Sequence, residues 1–311
     1  MALRLGVPKK YRGLLRLGTT SWKYDTWKGL IYEPLGAYRP DDYLADYAKH
    51  LDSVEVDQWF YSLFPGGLRL PDPAAVEFYA KSVPYDFVFT VKAPNSLTLT
   101  HYYSKQTRRY ADFAGKPNPS FLDRDLLRRF LDALSPLGSK LGPVMFQFEY
   151  LNKQKMPSVE AFIERFGEFI DRAPKGYRYA LEVRNKNFYT PAFFDFLKGR
   201  GLGFVYVEVF YMPPIGEVFE KFKPETASFQ VIRLHGGDRV DIESQTGEVW
   251  DKIVAPKPTG LKAAAAIVRA NAKKKILTYL NLSNHYEGSA PLSLRRFLDV
   301  LAGKKIDEVP F

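Results

Sequence analysis

A chain of 311 residues with 46% apolar and 15% aromatic content can bury a large core, and its length fits either two domains or one (β/α)8 barrel. The absence of Cys excludes disulfides, thiolate metal sites and a Cys nucleophile, and no run approaches the roughly 18 apolar residues of a membrane span. The formal net charge of +10 invites an anionic partner, but it is dispersed between a basic leader (Lys9, Lys10, Arg12) and a triple Lys at 273–275.

Residues 1–14 read as a basic N-terminal extension without the apolar centre of a secretory signal, so the expected location is cytoplasmic and the expected single domain is 15–311. A strand at 16–20 precedes an aromatic loop from Trp22 through Trp27 and Tyr32 to Pro34. Pro40 and Asp41 open a helix carrying Tyr43, Leu44, Tyr47 and Leu51 at helical spacing. A second strand at 53–57 leads to a helix begun by Pro73, with Val76 and Tyr79 inward, and a third strand spans 87–92. The segment 93–124, with His101 and the bases Lys105, Arg108 and Arg109, has the length of a lid or binding loop. Asp125 then opens a helix stopped near Pro136, followed by a strand at 144–149 and a strongly striped helix at 158–173. A strand at 179–184, a helix capped by Thr190 and Pro191, a strand at 203–208 and a weak helix at 216–222 come next. The seventh strand begins at Val231 and runs into Gly236, Gly237 and Asp238; its helix spans 261–272. A strand at 275–281 and a helix around 292–301 close the chain. Eight strands alternating with helices and no dividing linker predict an α/β fold, a single (β/α)8 TIM barrel with a long loop after strand 3. No Gly-rich phosphate fingerprint follows the first strand, and no cofactor motif occurs elsewhere.

Strands covered on both faces should be continuously apolar, yet five of these alternate. Val54 and Val56 alternate with Glu55 and Asp57, Phe146 and Phe148 with Gln147 and Glu149, and Leu181 and Val183 with Glu182 and Arg184; Lys92 ends strand 3, and Arg233 and His235 repeat the pattern on strand 7. With the apolar parity against the helices, the polar one faces the axis, joined by Glu208 and Asn281. Barrel enzymes hold their chemistry at the C-terminal ends of the strands. Glu182, His235 and Glu55 are therefore the candidate catalytic groups. Lys92, Arg184, Arg233, His101, Gln147, Asp57, Trp22, Asn284 and His285 are the candidate substrate-binding groups. The bland alternative is a compensated ion network that only fills the barrel. Glu55 and Glu182 would suit glycoside hydrolysis only if their separation fell within about 5–9.5 Å. No tight His spacing marks a metal site, so no metal ligand is assigned and a divalent-metal hydrolase stays a third reading.

Gly18 to Trp27 with Tyr32-Glu33-Pro34, Val54-Glu55-Val56, Leu99-Thr100-His101, Phe146-Gln147, Glu182-Val183-Arg184, Arg233-Leu234-His235-Gly236 and Asn284-His285-Tyr286-Glu287-Gly288 together resemble the YecE-like family, a domain of unknown function (DUF72). The resemblance runs from the first strand to the last helix and implies a TIM barrel, with no established reaction or cofactor. The chain departs from the family pattern with Asp57 in place of Asn, Phe148-Glu149-Tyr150 in place of Leu-Pro-Pro, Phe188 in place of Trp and Ser283 in place of Asn. The expected function is acid/base chemistry, hydrolysis or isomerisation, on a small polar or phosphorylated substrate at the barrel mouth. The alternative is a nucleotide or nucleic-acid binder using the 93–124 loop. No membrane partner is expected, and the oligomeric state is left open.

Overall fold

The computed structural model describes residues 3, 5–33, 39, 42–65 and 67–306. The expected helix opening at Pro40 and Asp41, and Pro34 of the aromatic loop, lie outside these residues. Eight parallel strands order the described chain: β1 (Leu15–Thr19), β2 (Ser53–Val56), β3 (Val88–Lys92), β4 (Leu141–Gln147), β5 (Tyr179–Glu182), β6 (Gly203–Val209), β7 (Phe229–Gly236) and β8 (Leu277–Leu282). Each leads to a helix on the outside: α1 (Asp42–Tyr47), α2 (Pro73–Lys81), α3 (Arg124–Ala133), α4 (Val159–Asp171), α5 (Pro191–Gly199), α6 (Ile215–Phe222), α7 (Pro258–Lys273) and α8 (Ala290–Leu301). The strands pair in sequence from β2 to β8 and then β8 with β1. The ring closes through a parallel bridge of Thr20 with Glu55 and a 3.0 Å hydrogen bond from Ser21 N to Glu55 O. This is the (β/α)8 barrel that the alternation of elements predicts.

Closure depends on residues the strand pattern does not advertise. A methyl group on Gly18 would sit 2.5 Å from the Ser53 carbonyl oxygen, so only Gly lets β1 approach β2. Tyr47 of α1 spans the same seam, accepting from Thr19 N at 2.9 Å and donating to Ser53 O at 2.9 Å. The helix starts follow the expected chemistry: Asp72, Asp123, Ser158 and Thr190 each accept a backbone N–H of the turn they precede.

The interior is layered. At the N-terminal end Val88, Met145, Ala180, Val205, Phe229, Val231 and Tyr279 form an apolar plug. Two residues further along the same inward parity come Thr90, Gln147, Glu182, Val207, Arg233 and Asn281, with Glu55 from β2. Strand register makes these a layer, because Gln147 pairs with Glu182, Asn281 with Arg233 and Glu55 with Thr90. Another step brings Asp57, Lys92, Arg184, Val209 and His235 to the mouth.

The structure adds local detail to the expected barrel. The long segment after β3 starts packed: residues 93–100 are buried, with a helical turn at Asn95–Thr98 whose Asn95 side chain accepts from Ser62 N and Leu63 N at 2.9 Å. A helix at Arg239–Thr246 and a short hairpin of Leu63–Phe64 with Gly67–Leu68 were not foreseen. The segment before β1 packs against the barrel, with Leu5 and Tyr11 buried. Among the described residues no helix is long and apolar enough to cross a membrane.

Candidate active site

Arg233 is the hub of the middle layer. Its Nε and Nη2 donate to the two oxygens of Glu55 at 2.8 and 2.6 Å, and its Nη1 donates to Gln147 Oε1 at 2.9 Å and to Glu182. Arg184 Nη2 lies 2.6 Å from the other oxygen of Glu182. Asn281 donates to Glu55 and to the Thr90 hydroxyl at 3.2 and 3.0 Å. Buried charges are tolerated only when paired this completely. Glu55 and Glu182 have 0% exposure, and neither lines the cavity above. Burial alone would raise the Glu182 carboxyl, yet the guanidinium groups of Arg184 and Arg233 hold it below its ordinary range.

Both carboxylates, expected as catalytic groups, are thus placed in a buried ion-paired layer beneath the cavity. The Glu182 carboxylate, ion-paired and with its proton affinity depressed, is a poor base in this arrangement. The Arg233 guanidinium also fills the gap between Glu55 and Glu182 that a glycosidic bond would need.

Above this floor lies a cavity of about 440 Å³, within the range of small-molecule sites. Thr20, Asp57, Lys92, Gln147, Arg184, Arg233, His235 and His285 line it, with Tyr24, Tyr61, Phe210, Tyr211 and Arg239 at its rim. Here environments push titratable groups apart, as they do at working sites. Burial, reinforced by Glu55, raises the Asp57 carboxyl. Burial and the neighbouring Arg233 push the Lys92 amine down to about 8. Burial, then Arg233, Arg184 and Lys92, holds His235 well below the ordinary imidazole value, so it is a neutral ring. His235 Nε2 is shielded from solvent and has no hydrogen-bond partner among the described residues. Tyr24 is pushed up to about 12 by burial and by Asp57.

The remaining candidates divide. His285 reaches the cavity and is held by Ser283 and, through Nε2, by Glu243 at 3.1 Å. His101 instead faces a separate groove with Tyr103, Glu149 and Lys155, where Lys155 pairs with Glu149 at 2.5 Å. Trp22 is buried edge-on against Tyr79, and Tyr24 of the same loop takes the place at the cavity. Asn284 accepts from Trp27 Nε1 and from Ala290 N, fastening the aromatic loop to the start of α8. Glu208 points outward and accepts from Ile215 N at 2.9 Å, capping α6. Among the described residues no group of three or more His, Asp or Glu side chains is placed to hold a metal ion, so the metal-dependent reading gains no ligand set.

Sequence reasoning missed Tyr61, Phe210, Tyr211 and Arg239. Phe210 and Tyr211 directly follow β6, and Arg239 follows the glycines after β7. Position just past a barrel strand was the available signal.

Fold and mouth together define a (β/α)8-barrel protein with a paired charged floor beneath an open polar cavity. The chain belongs to the family described as Protein of unknown function DUF72, whose pattern matches residues 16–310. It is similar to the UPF0759 protein YecE of Escherichia coli K12, 24% identical over 190 residues, which are 61% of this chain and 55% of that protein. The match thus spans about half the length of that relative. Among solved structures, a DUF72 family protein from Thermotoga maritima MSB8 superposes with a TM-score of 0.65 at 22% identity, covering 93% of this chain and 99% of the other. One from Enterococcus faecalis V583 gives 0.61 at 20% identity, covering 96% and 99%. These likenesses show the shared barrel.

Proposed function

We propose that the protein is an enzyme that performs acid/base chemistry, hydrolysis or isomerisation, on a small polar substrate carrying an anionic group, bound in the mouth of the barrel. The observation that carries this reading is the opposed tuning at one cavity: a carboxyl raised at Asp57 beside an amine lowered at Lys92. Tuning in these directions brings an acid and a base toward neutral pH, where each transfers protons best. Asp57 then acts as the proton donor or acceptor, and the neutral His235 ring lines the same cavity. Arg184, anchored through Nη1 to the Tyr211 hydroxyl at 2.8 Å, and Arg239 at the rim supply the anion contacts. Phe210 and Tyr211, exposed at 66% and 49%, offer an apolar wall.

Melting curves with inorganic phosphate and a series of sugar phosphates test the reading. A ligand at about one hundred times its dissociation constant adds about 2.7 kcal/mol, so a saturable rise of several degrees is expected. Arg239→Gln should weaken it without lowering the ligand-free melting point by more than a degree or so, because Arg239 is an exposed side chain whose ion pair with Glu243 contributes little. No shift with any of these anions would refute the anionic-substrate reading. A shift that vanishes steeply at moderate salt only with polynucleotides would favour the nucleic-acid alternative.

A further inference from the structure

Lys92 ends β3 with 7% of its surface exposed, at a cavity that holds cations and one carboxylate. Among the described residues it makes no salt bridge. Its Nζ lies 3.8 Å from the ring centre of Phe60 and 6.0 Å from that of Tyr61. The nearby carboxylates of Glu55 and Glu182 are committed to Arg233 and Arg184. The charged and titratable groups that act on it are Glu55 and Asp57 from the β2 side, Glu182 on β5, and Arg233 and His235 on β7. An amine kept only to bind an anion would be better served by solvent and a full charge. Desolvation against aromatic rings beside a fixed guanidinium is instead the environment that makes a lysine a nucleophile.

We propose that Lys92 captures the carbonyl carbon of an aldehyde or ketone substrate, forming an iminium in the barrel mouth. The proposal rests on the reading of this cavity as the active site and adds to it a substrate class, a small carbonyl compound bearing an anionic group. The lone pair of the neutral amine attacks the carbonyl carbon, and the carbonyl π pair moves to oxygen. One amine proton passes to that oxygen, giving a neutral carbinolamine. The nitrogen lone pair then expels the hydroxyl group, which leaves as water with a proton from the Asp57 carboxyl. The iminium nitrogen keeps one proton and its positive charge, with the newly formed Asp57 carboxylate as counter-ion. No oxidant or further reactant is needed.

Pyridoxal 5′-phosphate, which joins an aldehyde to a phosphate, is the probe. The full chain is treated with it, reduced with sodium borohydride, digested and mapped by mass spectrometry. The expected result is a phosphopyridoxyl group on Lys92 at about tenfold or more above any other lysine at neutral pH, because Lys92 is desolvated against aromatic rings, makes no salt bridge among the described residues and faces the cavity. Inorganic phosphate should suppress the adduct. Lys92→Arg and Lys92→Met should both lose it, and either folded variant serves if the other fails to fold. Labelling of Lys92 no stronger than that of the surface lysines would overturn the proposal. If phosphate still raises the melting point in that case, only the nucleophile is lost; if it does not, the reading of the site falls as well.

Discussion

Replacing Arg233 by Met is expected to lower the stability of the fold by about 3–5 kcal/mol, the usual cost of leaving a buried carboxylate without its partner. For a domain of this size that corresponds to a fall in melting temperature on the order of 10 °C. Arg233 satisfies Glu55 through two hydrogen bonds and Glu182 through a third, and both carboxylates have 0% exposure. Met fills the volume but returns none of these donors. The loss has a diagnostic pH dependence. In the native chain the folded Glu182 value is depressed, so its stabilising contribution is complete above the unfolded value of 4.5 and fades as pH falls through the folded value. Without Arg233 its carboxylate is less well compensated and is best relieved by taking up a proton. The deficit of the Arg233→Met chain should therefore shrink as pH falls toward 4–5, as roughly expected from the carboxyl range. Adding Glu55→Gln and Glu182→Gln should recover part of it at neutral pH. A melting point within about a degree of the parent, by calorimetry, would show that the network is not the floor described above.

Gly236→Ala is expected to cost roughly 2–5 kcal/mol, combining backbone strain with overpacking. Gly236 ends β7 with φ +84°, and a methyl group there would lie 2.7 Å from Tyr286 Cα and 2.8 Å from His285 O. Those atoms are backbone, so the whole 285–286 segment would have to move, taking the His285 side chain of the cavity with it. The neighbouring Gly237→Ala is the control. Its methyl group would meet nothing nearer than Lys257 Nζ at 3.9 Å, so a change within about 0.5 kcal/mol is expected. Denaturant melts of the two variants check the contrast, and equal losses would contradict the close approach of β7 to the 285–286 turn.

The alternating strands made the barrel and its inward parity legible from the amino acids alone. Glu55, Gln147, Glu182, Arg233 and Asn281 all face the axis because a strand has a period of two and only one parity can meet the helices. What the period cannot convey is depth. Glu182 and Arg184 share a parity, yet the first is sealed into the floor and the second opens on the cavity. Glu208 was misplaced for a related reason. On β6 Val205, Val207 and Val209 alternate with Phe204, Tyr206 and Glu208, so both parities are apolar over most of the strand and the lone acid looked inward. Trp22, His101 and Asn284 belong to loops, where neither period applies. The family resemblance carried the fold and was silent on the chemistry.

The division of the interior into a paired floor and a tuned mouth is tested most directly by the ionisation of Lys92. Competitive acetylation of the folded chain across pH, followed peptide by peptide, gives the titration of each lysine. Half-ionisation of Lys92 is expected near pH 8. A depressed folded value also means that the folded chain holds fewer protons than the unfolded one between about 8 and 10.4, so stability from this group rises with pH across that window. A Lys92 that titrates at or above the ordinary lysine value of about 10.4 would contradict that expectation, since that amine would be solvated or paired and the mouth would not be the tuned cavity described.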